Sequence, residues 1–474
     1  MANSDHLAGK LVAGVDSSTQ SVKVVIRHAD TGELIRQGRA PHPDGTEVDP
    51  AHWLSALNTA IAAAGGIDDV SAISIGGQQH GMVTLDASGN VIRPALLWND
   101  TRSATSADDL NTELGGPAKT AEQVGSVLVA AFTAPKLRWV ADNEKENAAK
   151  VAAVALPHDW LSWQMQGGKD FDLLFTDRSD ASGTGYFNPV TSTYRHDILS
   201  TALRTDRTII APRIVEPASF GGKTLSGIPI AAGAGDNAAA ALGVQAEPGD
   251  VVVSLGTSGT AFAVSDTPTH DPSGAVAGFA DATGRYLPLV CTLNAARILD
   301  AATRILGKSY EEVGQLALAA TPGAHGLTLL PYFEGERTPN RPNAKGVFAG
   351  MNLTNSNPED IARAMIEGML CGLVDAVDAL VDLGVDVKRV LLIGGAAKNP
   401  AISTIASALF GREVLVPQPG EYVADGAARQ AAWALLGTAT APKWNLGEVH
   451  SAHAPATPEV VAQYRSLRDR TQTW

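Results

Sequence analysis

Leu11-Val12-Ala13-Gly14-Val15-Asp16-Ser17-Ser18-Thr19-Gln20-Ser21-Val22-Lys23-Val24-Val25-Ile26 reads as an apolar strand, a short polar turn and a second apolar strand running back. Halfway along the chain the device returns: Asp250-Val251-Val252-Val253-Ser254-Leu255, then Gly256-Thr257-Ser258-Gly259-Thr260, then Ala261-Phe262-Ala263-Val264. β-Branched runs separated by Ser, Thr and Gly are the signature of a hairpin. Taken singly, each polar turn needs no role beyond reversing the chain. Two such units, one opening each half, point to an internal duplication with a boundary near Glu247-Pro248-Gly249. Paired turns facing across a cleft also offer backbone N–H and hydroxyl donors to successive phosphates of one nucleotide. Asp16 is then a candidate ligand for a magnesium ion, which takes few carboxylates and keeps its waters.

Outward from the first hairpin, Glu33 to Arg39 supplies a third strand. Asp49-Pro50 is an N-cap followed by a first helical residue, opening a helix to about Ala64 that Gly65-Gly66 stops. Val70 to Ile75 is a strand leading into Gly76-Gly77-Gln78-Gln79-His80-Gly81. In the second half Val390-Leu391-Leu392-Ile393 is a buried strand, Gly394-Gly395 a tight turn, and Asn399-Pro400 the start of a helix ending at Gly411. Asp425-Gly426 opens an Ala-rich helix. From Lys443 the chain is polar until a surface helix starts at Thr457-Pro458-Glu459. Strands and helices alternate throughout, so the fold class is α/β.

The 474 residues exceed one compact core and imply two domains. A formal net charge of −14 argues against nucleic acid and against anionic membrane as partners. Two cysteines, Cys291 and Cys371, make no disulfide framework and sit in no metal-type spacing. Met1 to Lys10 is polar, without the apolar core of a signal segment, and no apolar run is long enough to span a bilayer, so the expected compartment is the cytoplasm.

Three further groups of residues are candidates for chemistry. Asp236, in Ala232-Gly233-Ala234-Gly235-Asp236-Asn237, is read either as the N-cap of the Ala-rich helix behind it or as a carboxylate that accepts a substrate hydroxyl proton. The small residues before it let a ligand approach the backbone. Gln79 and His80, with Trp98-Asn99-Asp100, carry the amide, imidazole and carboxylate groups that a polyhydroxylated substrate demands. His80 has no zinc-like partner spacing. Gly394 and Gly395 offer a flat surface for adenine or ribose, or only a diglycine turn, and Asn399 serves there or merely caps its helix. No Walker loop and no dinucleotide glycine fingerprint is present.

Longer segments carry a resemblance. Thr133-Ala134-Pro135-Lys136-Leu137-Arg138-Trp139-Val140 matches one signature of the FGGY carbohydrate kinases, with Ala131 where glycine or an aromatic is usual. Gly346-Val347-Phe348-Ala349-Gly350-Met351, continued by Asp360-Ile361-Ala362-Arg363-Ala364-Met365-Ile366-Glu367, matches the other. The chain resembles that family from about Leu11 to Gly437. The resemblance implies two duplicated domains of the actin/hexokinase type (ribonuclease H-like), each a five-stranded sheet with helices, closing on a deep cleft. The expected domains are 10–246 and 247–440, followed by a tail over 441–474. It further implies ATP and Mg2+, with Asp236 as general base and Asp16 and Asp236 at the metal. Ser18, Thr19, Gly256, Thr257 and Ser258 would face the phosphates, Gly394, Gly395 and Asn399 the adenosine, and Gln79, His80, Trp98 and Asn237 the sugar. Gln78-Gln79-His80-Gly81, Trp98-Asn99-Asp100, Ser179-Asp180-Ala181-Ser182-Gly183-Thr184 and Gly335-Glu336-Arg337-Thr338-Pro339 look like the members that phosphorylate D-xylulose. Ribulose, gluconate and glycerol remain alternative substrates, and a non-catalytic sugar sensor or an actin-like ATPase an alternative class. Family members are often homodimers, although no interface is legible in the residues. Two departures stand out. Ser18 occupies the glycine position of the first phosphate turn, for which a relaxed variant turn is expected, and Gln79 replaces a methionine common before the histidine.

Overall fold

The computed structural model describes residues 9–445 and 447–472. The polar start over residues 1–10, read above as lacking a leader, lies outside the described residues except for Gly9 and Lys10. Among the described residues no helix is long and apolar enough to cross a membrane. The chain divides into two compact units: Met1–Gln245 with Asp266–Leu287 and Gly420–Asn445, and Ala246–Ser265 with Pro288–Pro419 and Leu446–Trp474.

In the first unit β1 (Leu11–Ser17) and β2 (Ser21–His28) form the expected hairpin, with Asp16 opposite Lys23. β3 (Leu34–Pro41) continues the meander on β2, and β4 (Val70–Gly77) runs parallel to β1. β5 (Phe220–Lys223) and β6 (Pro229–Ala231) complete the order β5-β6-β4-β1-β2-β3. In the second unit β7 (Asp250–Leu255) pairs antiparallel with β8 (Gly259–Ala263), and β8 with β9 (Tyr286–Thr292). β10 (Arg389–Ile393) lies parallel to β7, β11 (Glu413–Pro417) parallel to β10, and β12 (Val449–Ala452) antiparallel to β11. Each sheet therefore runs through three antiparallel strands, two further parallel strands and an antiparallel edge. That shared order is the duplication the two hairpins announced. With every paired strand counted, each sheet has seven, two more than the five the resemblance implies. β12 went unseen in sequence because Val449-His450-Ser451-Ala452 has no apolar run, and only the ladder offered by β11 makes it a strand.

The Asp49 and Asn399 caps read from sequence form as expected. Asp49 accepts the Ala51 N–H at 2.9 Å at the head of helix Pro50–Ala63, whose Trp53 and Leu57 enter the core with Ile26, Ile73 and Ile75. One helix start differs: the Ala-rich helix begins at Tyr422, not Asp425, which leaves Asp425 in the first turn and 2.7 Å from Arg27. This helix, Tyr422–Leu436, packs on β1, β4 and α3 (Asp236–Gly243). The approach requires glycine, since a Cβ on Gly14 would stand 2.0 Å from the Ala424 carbonyl oxygen and one on Gly426 1.8 Å from that of Ala239. Two further helices, α1 (Pro157–Met165) and α2 (Arg178–Ser182), pack on β4 and on the two-residue strand Ala234–Gly235 that leads into α3, respectively.

Candidate active site

The first hairpin turn places Asp16 at the end of β1 with 2% of its surface exposed. Its Oδ2 faces Lys23 Nζ at 3.4 Å, and the Ser18 hydroxyl donates to its Oδ1. Lys23 in turn reaches Glu421 at 2.6 Å. Burial raises the Asp16 pKa, with Lys23 and the Ser18 hydroxyl opposing the shift. Ser18 is not among the non-glycine residues with positive φ, so serine occupies the family's glycine position without strain, and its side chain makes a bond that glycine cannot. Thr19 accepts from the Trp98 indole N–H at 2.8 Å and donates to Gln78 Oε1 at 3.4 Å. Trp98, read from sequence with the sugar residues, thus has its polar edge on the first hairpin turn. His42 also supports the turn, its Nδ1 lying 2.8 Å from the Ser18 carbonyl oxygen, and burial lowers its pKa. Neither His42 nor the Lys23–Glu421 pair was singled out in sequence, because their roles come from partners distant along the chain.

The loop after β4 carries Gln79 and His80. His80 has a φ of 70°, a left-handed backbone that costs a non-glycine residue on the order of 1 kcal/mol or more and tends to cluster at functional sites. Its ring lies 4.8 Å from Phe132 and 5.6 Å from Phe279 between centroids, with Nδ1 2.6 Å from the Gly183 carbonyl oxygen. Gln79 donates its amide to the Ser179 carbonyl at 2.7 Å. Both residues are therefore held by the Ser179–Thr184 segment, which sequence had flagged only as a family-like motif.

Asp236 stands at the first position of α3, with Gly235 as the N-cap, one residue off the cap position read from sequence. The cap position requires extended backbone, which Gly235 supplies with φ −62° and ψ 150°. The carboxylate Oδ1 accepts the Asn237 backbone N–H at 2.8 Å and the Asn237 side-chain amide at 2.9 Å. Asp236 keeps partial solvent access. Burial first and the negative charge of Asp16 second push its pKa up to about 7, against the pull of the Asn237 hydrogen bonds. A carboxylate tuned to neutral pH at a helix N-terminus is equipped to take a proton.

In the second unit the turn between β7 and β8 leaves Thr257 exposed and Gly256 and Ser258 half-buried. Gly394 follows β10 with a φ of 99°, and a Cβ there would lie 2.6 Å from the Leu255 carbonyl oxygen, so only glycine serves. Gly395 has nothing within 4 Å of its would-be Cβ and presents open backbone. The Asn399 side chain caps helix Pro400–Phe410, accepting from Ala401 N at 3.0 Å and donating to the Tyr310 carbonyl at 2.8 Å.

Known proteins share this framework. Residues 11–243 match the N-terminal domain of the FGGY family of carbohydrate kinases, and residues 251–435 its C-terminal domain. A xylulose kinase of Streptomyces coelicolor is 44% identical over 454 residues, covering 92% of this chain and 91% of the relative. One from Escherichia coli is 34% identical over 441 residues, covering 88% and 89%. The crystal structure of xylulose kinase from Bifidobacterium adolescentis superposes with a TM-score of 0.91 at 47% identity, covering 97% of this chain and 99% of that one. With both domain halves matched in order, and with the repeated sheet they share, the chain belongs to the FGGY family of carbohydrate kinases.

Proposed function

We propose that this chain transfers the γ-phosphoryl group of ATP to D-xylulose, giving ADP and D-xylulose 5-phosphate, with Asp236 as the general base. The observation that carries the substrate is the 44% and 47% identity, over more than nine-tenths of the chain, to proteins named xylulose kinase. The base assignment is supported by the pKa of about 7 at Asp236. A sugar hydroxyl oxygen attacks the γ-phosphorus while its proton passes to the Asp236 carboxylate, and the bond to ADP breaks. Asn237 holds Oδ1, which leaves Oδ2 as the oxygen to receive the proton. Gln79, His80, Trp98 and Asn237 are assigned to the sugar. Ser18, Thr19, Gly256, Thr257 and Ser258 are assigned to the phosphates, and Gly394, Gly395 and Asn399 to the adenosine.

A divalent cation suits the first unit. Asp16 and Asp236 are hard oxygen donors whose mutual repulsion contributes to the raised pKa of Asp236, and a cation between their charges would relieve it. Asp16 and Asp236 would hold magnesium, which would neutralise charge on the phosphates. Lys23 and the Ser18 hydroxyl meanwhile keep the Asp16 carboxylate in place.

Sugar-dependent ADP release, measured across a panel of ketoses, aldoses and polyols, tests the substrate. D-Xylulose should show the highest kcat/KM, and a clear preference for ribulose, gluconate or glycerol would overturn the assignment. Asp236→Ala should lower kcat by about 10²–10⁴-fold, the usual worth of a general base, with sugar binding much less affected. Near-normal turnover in that variant would remove Asp236 from the role.

A further inference from the structure

Behind the sugar loop and the base lies a buried group of side chains that the proposed reaction leaves unused. His158, the second residue of α1, is fully buried, as are Asp159, Asp177 and Asp180 around it. Its Nε2 lies 3.3 Å from Asp159 Oδ1, 3.4 Å from Asp177 Oδ1 and 3.3 Å from Asp180 Oδ2. Both imidazole nitrogens, Asp159 Oδ1 and both Asp180 oxygens are buried without a hydrogen bond. One N–H cannot point at three carboxylates, so the ring is held by charge and enclosure and not by one directed bond. Unpaired buried carboxylates are costly, and a positive ring among them lowers that cost.

His158 packs against the two backbone segments that lead to the reacting groups, with its backbone and Cβ against Gly77 and its ring against Gly233. A Cβ on Gly77, at the end of β4, would lie 3.0 Å from His158 Cβ, and one on Gly233 would lie 2.8 Å from the ring Nδ1. The carboxylates connect to the same segments. Asp177 caps α2, accepting from Ser179 N at 2.7 Å and Asp180 N at 3.0 Å, and it also accepts the Ser179 hydroxyl at 2.6 Å. That hydroxyl oxygen receives the Gly235 N–H at 3.0 Å, one residue before Asp236, while the Ser179 carbonyl receives the Gln79 amide.

We propose that His158 is a positioning residue for the phosphoryl transfer: its caged ring bears on the Gly233–Gly235 turn and, through the carboxylates at the head of α2, on Ser179, and so sets Asp236 and Gln79. The inference rests on the reading of Asp236 as the base. Removing the ring's charge leaves the buried Asp159, Asp177 and Asp180 without their cation, so that they repel one another or take up protons, which displaces α2 and with it the two hydrogen bonds that Ser179 accepts, from the Gly235 N–H and the Gln79 amide. The titratable groups facing the ring are Asp159 on its own helix, Asp177 at the cap of α2 and Asp180 within it; Tyr186 and Tyr194 interact with these carboxylates, and Asp236 with Asp180. Burial alone would lower the His158 pKa, but Asp159, Asp180 and Asp177 outweigh it and raise it to about 10, so the ring is charged at neutral pH.

The test compares His158→Gln, which removes the charge, with His158→Lys, which restores it, in the full chain. His158→Gln should lower kcat by about 100-fold and raise the sugar KM, with the ATP KM held within about twofold. His158→Lys should recover most of the loss. In 15N-histidine spectra of the unmodified protein, the resonance missing from His158→Lys should remain that of a protonated ring at about pH 8.5. The spectra can overturn the proposal even if His158→Gln does not fold. The proposal is overturned by wild-type kcat and sugar KM in His158→Gln, by a parallel loss in all constants without rescue by lysine, or by a neutral ring at that pH. A stoichiometric metal ion that disappears in His158→Gln would also overturn it, since His158, Asp159 and Asp180 are spaced closely enough to hold one. An active Asp236→Ala would sink the base reading. An inactive Asp236→Ala beside a normal His158→Gln would sink the positioning role alone.

Discussion

If Asp236 takes the sugar proton, the rate must follow its ionisation, and the structure puts that ionisation well above the ordinary carboxylate range. The pKa is raised from 3.8 to about 7, by burial and then by Asp16. The unprotonated fraction is then about 9% at pH 6 and about 1% at pH 5, so kcat/KM should stand near a tenth and a hundredth of its plateau there. An unshifted carboxylate would give a flat profile over the same range. The measurement is ADP release at sub-saturating ATP and D-xylulose, at constant ionic strength, with magnesium supplied only as the ATP complex so that the free enzyme's ionisation is read. Asp16→Asn removes the second cause of the shift and should move the rise to lower pH. The plateau should also fall, because Asp16 is assigned to the metal, but the position of the rise is independent of its height. A wild-type profile that is flat from about pH 5 to 8, or a rise that stays put in Asp16→Asn, would refute the argument.

The same shift has a stability consequence of known sign. A carboxyl whose folded pKa lies above its unfolded one contributes full stability below the unfolded value, and that stability is lost as pH rises to the folded value. Asp236→Asn should therefore be more stable than wild type by an amount that grows from about pH 4 to about pH 7 and is level above, read from urea midpoints across that range. An Asn variant no more stable than wild type at pH 8 would contradict the raised pKa. Gly426→Ala should lose about 1–3 kcal/mol despite alanine's better helix propensity, because its Cβ would meet the Ala239 carbonyl oxygen at 1.8 Å and force two helices apart. An unchanged or higher urea midpoint would show that the helices yield at no cost.

Much of the architecture was legible locally. Hairpin pairing and helix caps are made between residues a few positions apart, so β1–β2, β7–β8, the Asp49 cap and the Asn399 cap all formed where the residues placed them. The paired hairpins also exposed the duplication, because each sheet is built outward from its own. The sequence was enough to mark Asp16 and Asp236 as carboxylates beside small-residue turns. What it left open at Asp236, cap or base, turned on its surroundings. A pKa near 7 arises from burial and from a charge 220 positions earlier in the chain, neither of which a local pattern contains. The return of residues 420–445 to the first unit, Glu421 on Lys23, Trp98 on Thr19 and the three carboxylates around His158 were likewise decided by tertiary structure alone. Local spacing fixes hydrogen bonds along the backbone, whereas desolvation and charge are set by whatever the fold brings alongside.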